Sequence, residues 1–337
     1  LEFRRVLFRS QPPLPRLCRG IALTVLLLGG LESGPPAPVA AASATSPAST
    51  AAGGTAGGSA GAMREAPFTA ENWDLGGALV AEHLGRTALR GTAVLEGVAL
   101  ADGVIEVDLA VDGTAGYPGI FFRVQSEGDY EHVYVRPHRA GRYPDAVQYA
   151  PNLQGVGCWQ LYSGAGHTAA VTLPANSWIP LRLEFRGERA RLFVGDLTRP
   201  ALVIDHLQRE PAAGAVVLNA QPPASGCFSN FRYTPGCDAD FGPAAPLDEL
   251  PGAVRDWRLS EAVDAGPVDA DAYPDPAALA KLVWRDVAPE PSGLVNVSRW
   301  RPWQPGQTDC VYARTNLHAD RAQTMKVNLG YSDYVTA

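Results

Sequence analysis

Two carboxylates, Glu106 and Asp108, stand two residues apart in GVIEVDLAV (103–111). On an extended strand that spacing turns both side chains to one side of the sheet. Paired carboxylates facing one another across a bond are what glycoside hydrolysis requires. Further on, YEHVYVRPH (130–138) alternates in the same way. Tyr130, His132, Tyr134, Arg136 and His138 share one side, while Val133 and Val135 face a core. Arg123, Gln148, Trp159 and Tyr162 come from neighbouring segments, and Gln160 with Tyr162 extends the same surface. Such a face suits sugar: aromatic rings stack on the apolar C–H side of a pyranose, and amide and guanidinium groups bond its hydroxyls. The competing reading is a solvated outer face of cross-strand Arg–carboxylate pairs, each contributing little. His132 and His138, taken alone, are more often structural than catalytic.

The elements that must hold these groups are strands. Short runs of period two, separated by Gly, Pro, Asn and Asp, predict strands over 103–111, 119–125, 130–136, 146–149, 158–162, 179–186, 189–194, 215–219 and 228–233. Many short antiparallel strands with almost no helical periodicity indicate an all-β sandwich.

Residues 103–125, 130–138, DAVQY (145–149) and GCWQLYSGAG (157–166) resemble the concanavalin A-like lectin/glucanase (laminin-G-like) superfamily. They are particularly similar to a bacterial domain named for keto-disaccharide hydrolases. NSWIPLRLEFRGERARLFVGD (176–196) and GCFSNFRYTP (226–235) resemble that superfamily's closing strands. The resemblance covers about half of the chain. It implies a jelly-roll sandwich that binds carbohydrate, or accompanies enzymes that cut it. Activity does not follow from fold alone. In the laminarinase pattern E-x-D-x-x-E, Glu106 and Asp108 fill the first two positions, but Val111 stands at the third and Asp112 lies one residue later on the opposite side. Hydrolysis by Glu106 and Asp108 therefore depends on a carboxyl partner from another strand. A protein-binding adhesion module is the third reading, and it calls for an exposed apolar stripe.

Other chemistry is weakly signalled. No Walker loop or H-E-x-x-H helix occurs. No cofactor is expected. The resemblance implies calcium as a candidate ion, with Asp102, Asp112 and Asp129 as its candidate ligands, although isolated loop aspartates more often form turns. A net charge of −7 argues against nucleic acid and anionic membrane as partners.

Residues 1–10, LEFRRVLFRS, match the translation of a sequencing adapter and are set aside as a scar. Residues 11–44 carry Arg16 and Arg19, an apolar run from Ile21 to Leu28, and an Ala-rich small-residue segment. These are the parts of a signal peptide, so a secreted or periplasmic location is expected. The run is too short to span a bilayer. An Ala/Gly/Ser/Thr linker (45–66) leads to the sandwich (67–235), a connection (236–255) and an incomplete galactose-binding-like β-domain (256–337), whose β pattern starts near Trp257 and returns at 282–284, 293–298, 310–315 and 324–329. Its Trp300 and Trp303, beside Arg299 and Arg301, read either as a sugar platform or as a clamp on the sandwich. Truncation there leaves open strand edges. Five cysteines occur, without any C-x-x-C. Cys158 and Cys227 form a candidate bridge, with buried thiols as the alternative.

Overall fold

Alternation of apolar and polar residues dictates sheets with one buried side. A computed structural model of the 337-residue chain describes residues 5–8, 21–26, 61–220, 226–247, 249–264, 275–301, 309–322, 324, 330 and 334–336. It is all-β, a jelly-roll-like sandwich of antiparallel strands. Its main strands are β1 (Leu79–His83), β2 (Arg86–Leu95), β3 (Gly103–Val111), β4 (Gly119–Ser126), β5 (Asp129–Val135), β6 (Val147–Leu153), β7 (Trp178–Arg186), β8 (Arg189–Val194), β9 (Leu202–Ile204), β10 (Ala215–Ala220) and β11 (Gly226–Pro235).

Two layers result. One, the site sheet, runs β6–β5–β4–β10–β2; the other, the back sheet, runs β2–β11–β3–β7–β8–β9, with β1 also paired to β2. β2 belongs to both: Arg86–Arg90 pair with β1, and 91–94 pair with β10. Gly91 marks the corner, with φ of +103° and Ala78 Cα 3.0 Å from where a Cβ would sit. A side chain there would strain the backbone and crowd the adjoining turn.

The inner faces interlock around Leu89, Ile105, Leu109, Ile120, Phe122, Tyr149, Leu183, Phe185 and Phe228, all fully buried. Each large apolar side chain so buried contributes roughly 1.5–3 kcal/mol. Trp73 closes one end, edge-on to Phe231 at 4.7 Å, its indole N–H donating to Ala66 O.

Past Pro235 the chain lies along β8: Arg191 donates to Asp240 O at 2.9 Å and covers Phe241. A second small sheet follows, from β12 (Trp257–Ser260), β13 (Trp284–Val287) and β14 (Asp309–Arg314). β12 pairs with the other two around Leu259, Val287, Val297, Val311 and Ala313. The edge of β14 is taken by the short strand Ile21–Leu26, in parallel. Segment 293–298, read as a strand, instead leads into a 3₁₀ turn at Val297–Arg299, where Asn296 Oδ1 accepts from Ser298 N. Of the expected strand at 324–329, residues 325–329 lie outside the described residues, as does the aromatic Trp303.

Two further expectations are corrected. Segment 158–162 is a run of turns rather than a strand. Cys158 and Cys227 are not bridged; they are buried in separate clusters, Cys158 with Leu153 and Tyr162, Cys227 with Ala88 and Ala110.

Candidate functional site

The outer face of the site sheet carries an aromatic strip set by strand alternation. On β5, Tyr130, His132 and Tyr134 point outward, and the His132 ring stacks on Tyr134 at 4.5 Å. Phe121 of β4 stacks on Tyr130 at 4.3 Å and meets His132 edge-on at 4.4 Å. Tyr117 continues the strip, edge-on to both Tyr134 and His138. Gly119, the direct cross-strand partner of Tyr134, lets β4 and β5 approach closely, a Cβ there standing 2.3 Å from Val133 O. A Cβ at 119 would stand 2.6 Å from Tyr134 Cβ.

At the end of the strip a polar triad is tied together before any ligand arrives. Tyr134 donates its hydroxyl hydrogen to Gln148 Oε1 at 2.7 Å. Arg136 donates to the Tyr134 hydroxyl at 2.9 Å and also to Gln148 Oε1. The other end of the guanidinium is held by Asp145, through its backbone carbonyl at 2.8 Å and its carboxylate at 3.2 Å. Gln148 Nε2 donates to the carbonyls of Trp159 and Tyr162, which fixes the 158–162 turns against β6. Tyr134, Arg136 and Gln148 are buried, whereas Tyr117 is 53% and Trp159 43% exposed. Arg136 lies 5.0 Å from the Tyr134 ring centre and 5.8 Å from that of Trp159. The accessible features are thus two aromatic rings beside a rigid, charge-bearing floor.

Burial controls the protonation of this surface. Desolvation, helped by the Arg136 charge, lowers the His132 imidazole to about 3, so the ring is neutral in ordinary conditions. Burial of Tyr134 pushes its phenol up, leaving the hydroxyl a donor. His138 is lowered by desolvation first, then by Arg139 and Arg136. Among the described residues, His132 Nε2 and His138 Nδ1 are buried polar atoms with no hydrogen-bond partner.

The structure therefore gathers His132, Tyr134, Arg136, His138, Gln148 and Trp159. It places two other candidates elsewhere. Arg123 sits at a bulge with φ of +52° and turns inward, 1% exposed. It donates to Ala101 O and Gly187 O at 2.7 Å, pairs with Asp102, and lies over Phe185. Tyr162 is buried, its hydroxyl donating to Glu290 at 2.6 Å in the contact with the C-terminal sheet. Arg299 completes that contact, donating to Gln208 O at 2.7 Å and Gln208 Oε1 at 2.6 Å. Trp300 packs against the small core, and the Arg299 bonds clamp this stretch to the sandwich.

Glu106 and Asp108 do share a face, on the opposite side of the sandwich. Glu106 pairs with Arg232 at 2.7 Å and reaches Arg182 at 3.8 Å. Asp108 accepts from Arg86 and from Asn230 at 2.9 Å, at the mouth of a cleft of about 780 Å³. Both carboxylates are neutralised by arginines in the manner of a cross-strand charge ladder. Asp102, Asp112 and Asp129 accept from backbone amides, hydroxyls or arginines in turns. Among the described residues, no three His, Cys, Asp or Glu gather as a metal would need. No helix among them is long and apolar enough to cross a membrane.

Tyr117 and Asp145 were missed from the sequence. The Y-P-G turn at 117–119, placed just before a strand, is the one signal that could have pointed to Tyr117.

No family model and no curated protein matches the chain. Among solved structures, it is similar to the carbohydrate-binding module CBM66 of Bacillus subtilis, at 16% identity and a TM-score of 0.37, over 48% of this chain and 94% of that one. It is also similar to a galectin of Caenorhabditis elegans, at 10% identity and 0.33, over 49% and 97%. A third likeness is to domain 4 of an extracellular arabinanase from Geobacillus stearothermophilus, solved with arabinotriose, at 10% identity and 0.33, over 48% and 76%.

Proposed function

We propose that the protein is a carbohydrate-binding module that takes a glycan on the outer face of the site sheet. The supporting observation is the pairing of exposed rings, Tyr117 and Trp159, with the buried Tyr134–Arg136–Gln148 triad. A pyranose laid on such rings sheds water from its apolar side. Its hydroxyls then meet groups whose positions are already fixed, so little ordering entropy is lost on binding. His132, neutral and with Nε2 uncommitted among the described residues, adds one hydrogen-bonding position to the floor. On this reading the chain acts outside the cytoplasm, secreted or periplasmic, and its sandwich is kin to the keto-disaccharide hydrolase-type domains. The C-terminal sheet is then a galactose-binding-like companion.

The test is binding of the full chain to a panel of oligosaccharides, keto-sugars included, read by calorimetry. Trp159→Ala and Tyr117→Ala should each weaken the best ligand about tenfold, as for an anchoring aromatic, with melting temperature unchanged. Binding that ignores both substitutions, or no binding across the panel, would overturn the proposal.

A further inference from the structure

The C-terminal sheet presents a second arrangement that the glycan face does not use. Strand register puts Arg258 of β12 directly opposite Asp286 of β13 on one side and opposite Arg314 of β14 on the other. Like charges facing each other across strands repel. Asp286 is committed to Arg258 at 2.8 Å and is itself 85% exposed. Arg314 instead reaches across to Trp284, its guanidinium 4.3 Å from the ring centre. The space for this reach is given by Ser260, fully buried, which lies opposite Trp284 in the register. Among the described residues, Arg314 forms no ion pair of its own.

Beside this row lies a cleft of about 380 Å³, lined by Arg255, Arg258 and Arg314 and by two carboxylates, Asp256 and Asp286. Three fixed cations thus meet two anions. Trp257 and Val287 border it at the strand ends, their side chains packed on the small core on the other side of the sheet. Thr315, also on the lining, is turned away, its hydroxyl donating to Asp256 O at 2.6 Å.

We propose that this cleft binds an oxyanion carried by a polysaccharide, a uronate carboxylate or a sulfate ester, between Arg258 and Arg314. Such a group relieves the Arg258–Arg314 repulsion and supplies the acceptors that the guanidinium forks lack. That a polysaccharide carries the oxyanion rests on the glycan-binding reading proposed above. The site stands apart from the Tyr117–Trp159 face, so the two readings are separable.

The experiment titrates the full chain, at low and at physiological salt, with three probes of equal length: an oligogalacturonate, a sulfated galactan oligomer and a neutral galactan oligomer. The expected result is binding of one or both acidic probes, weakened by salt, with the neutral probe much weaker. Which acidic probe binds decides between carboxylate and sulfate. Arg314→Gln should lower that affinity at least tenfold. Asp286→Asn, which frees Arg258 from its competitor, should raise it several-fold, a gain that damage to the fold cannot imitate. Trp159→Ala should leave it unchanged. Failure of both acidic probes to bind, or binding untouched by Arg314→Gln and Asp286→Asn, overturns the proposal.

Discussion

The Tyr149 hydroxyl donates to the Glu131 carboxylate at 2.8 Å inside the sandwich core. The same carboxylate accepts from Arg209 N at 3.0 Å, and Gln208 N donates back to the Tyr149 oxygen at 2.7 Å. Glu131 lies on β5 with its side chain opposite in direction to the aromatic strip. A single strand thus carries an aromatic face outward and a buried acid inward.

Burial raises the Glu131 carboxyl above its ordinary 4.5, against the opposing pull of Tyr149, Arg209 and Arg123. The folded state therefore holds this proton more tightly than the unfolded chain does. By linkage its contribution is full below about 4.5 and is lost as pH rises through the folded value. Glu131→Gln should flatten that decline. Urea midpoints measured from pH 4 to 8 would decide it, an unchanged slope contradicting the assignment.

His132 acts with the opposite sign. Its folded value is about 3 against an ordinary 6.5, so the unfolded chain binds the extra proton between them. Stability gained from the neutral ring is present above 6.5 and is lost as pH falls toward 3. His132→Phe should remove this acid-side loss. In proton–nitrogen spectra the His132 ring signals should stay fixed from pH 5 to 8; a midpoint near 6.5 would contradict the burial argument.

Much of this was legible in advance, and the failures have physical causes. The alternation of 103–111 and 130–136 gave the strands and their faces because each has one side in the core. Arg123 escaped that logic: a bulge at a non-glycine residue leaves no mark in the sequence, yet it reverses every direction assigned beyond it. The pattern C-W-Q-L-Y at 158–162 reads as a strand, but Gln148 takes two of its carbonyls with a side-chain amide in place of a ladder. β2 was not anticipated, since a strand that changes sheets at Gly91 shows no continuous period. The clamp formed by Glu290 and Arg299 joins residues more than 80 positions from their partners, beyond the reach of local patterns.

Gly119→Ala tests the close approach of β4 to Val133 and Tyr134 of β5. Crowding of this kind costs roughly 1–3 kcal/mol, to be read as a lower urea midpoint. Glycan affinity should fall with it, as the strip is pushed out of register. A neutral outcome in both would show that β4 and β5 part easily.

The clamp can be probed through a thiol. Cys158 is 2% exposed, with Asn296 Nδ2 3.5 Å from its sulfur and Leu294 packed on its cluster. Arg299→Ala removes the bonds to Gln208 and should speed alkylation of Cys158 severalfold, with Cys227 unchanged. Peptide mass mapping after timed labelling distinguishes the two; equal rates for Cys158 in both proteins would mean the clamp does not gate it.

Ion pairs on the back sheet should matter less. Arg232 is half exposed where it meets Glu106, and pairs of this kind are worth about 0–1 kcal/mol. Glu106→Gln should shift the melting temperature only slightly, and it should leave glycan binding intact if the site sheet is the binding surface.

Gln148 joins these observations. One end of its amide serves the triad, and the other grips the backbone of Trp159 and of Tyr162, whose hydroxyl is in turn held by the C-terminal sheet. On the proposed reading, docking and sugar recognition then draw on one shared pool of order. Whatever tightens the hold on Tyr162 spares an incoming ligand some of the cost of ordering Trp159, and a ligand seated on Trp159 must strengthen the docked arrangement by the same factor.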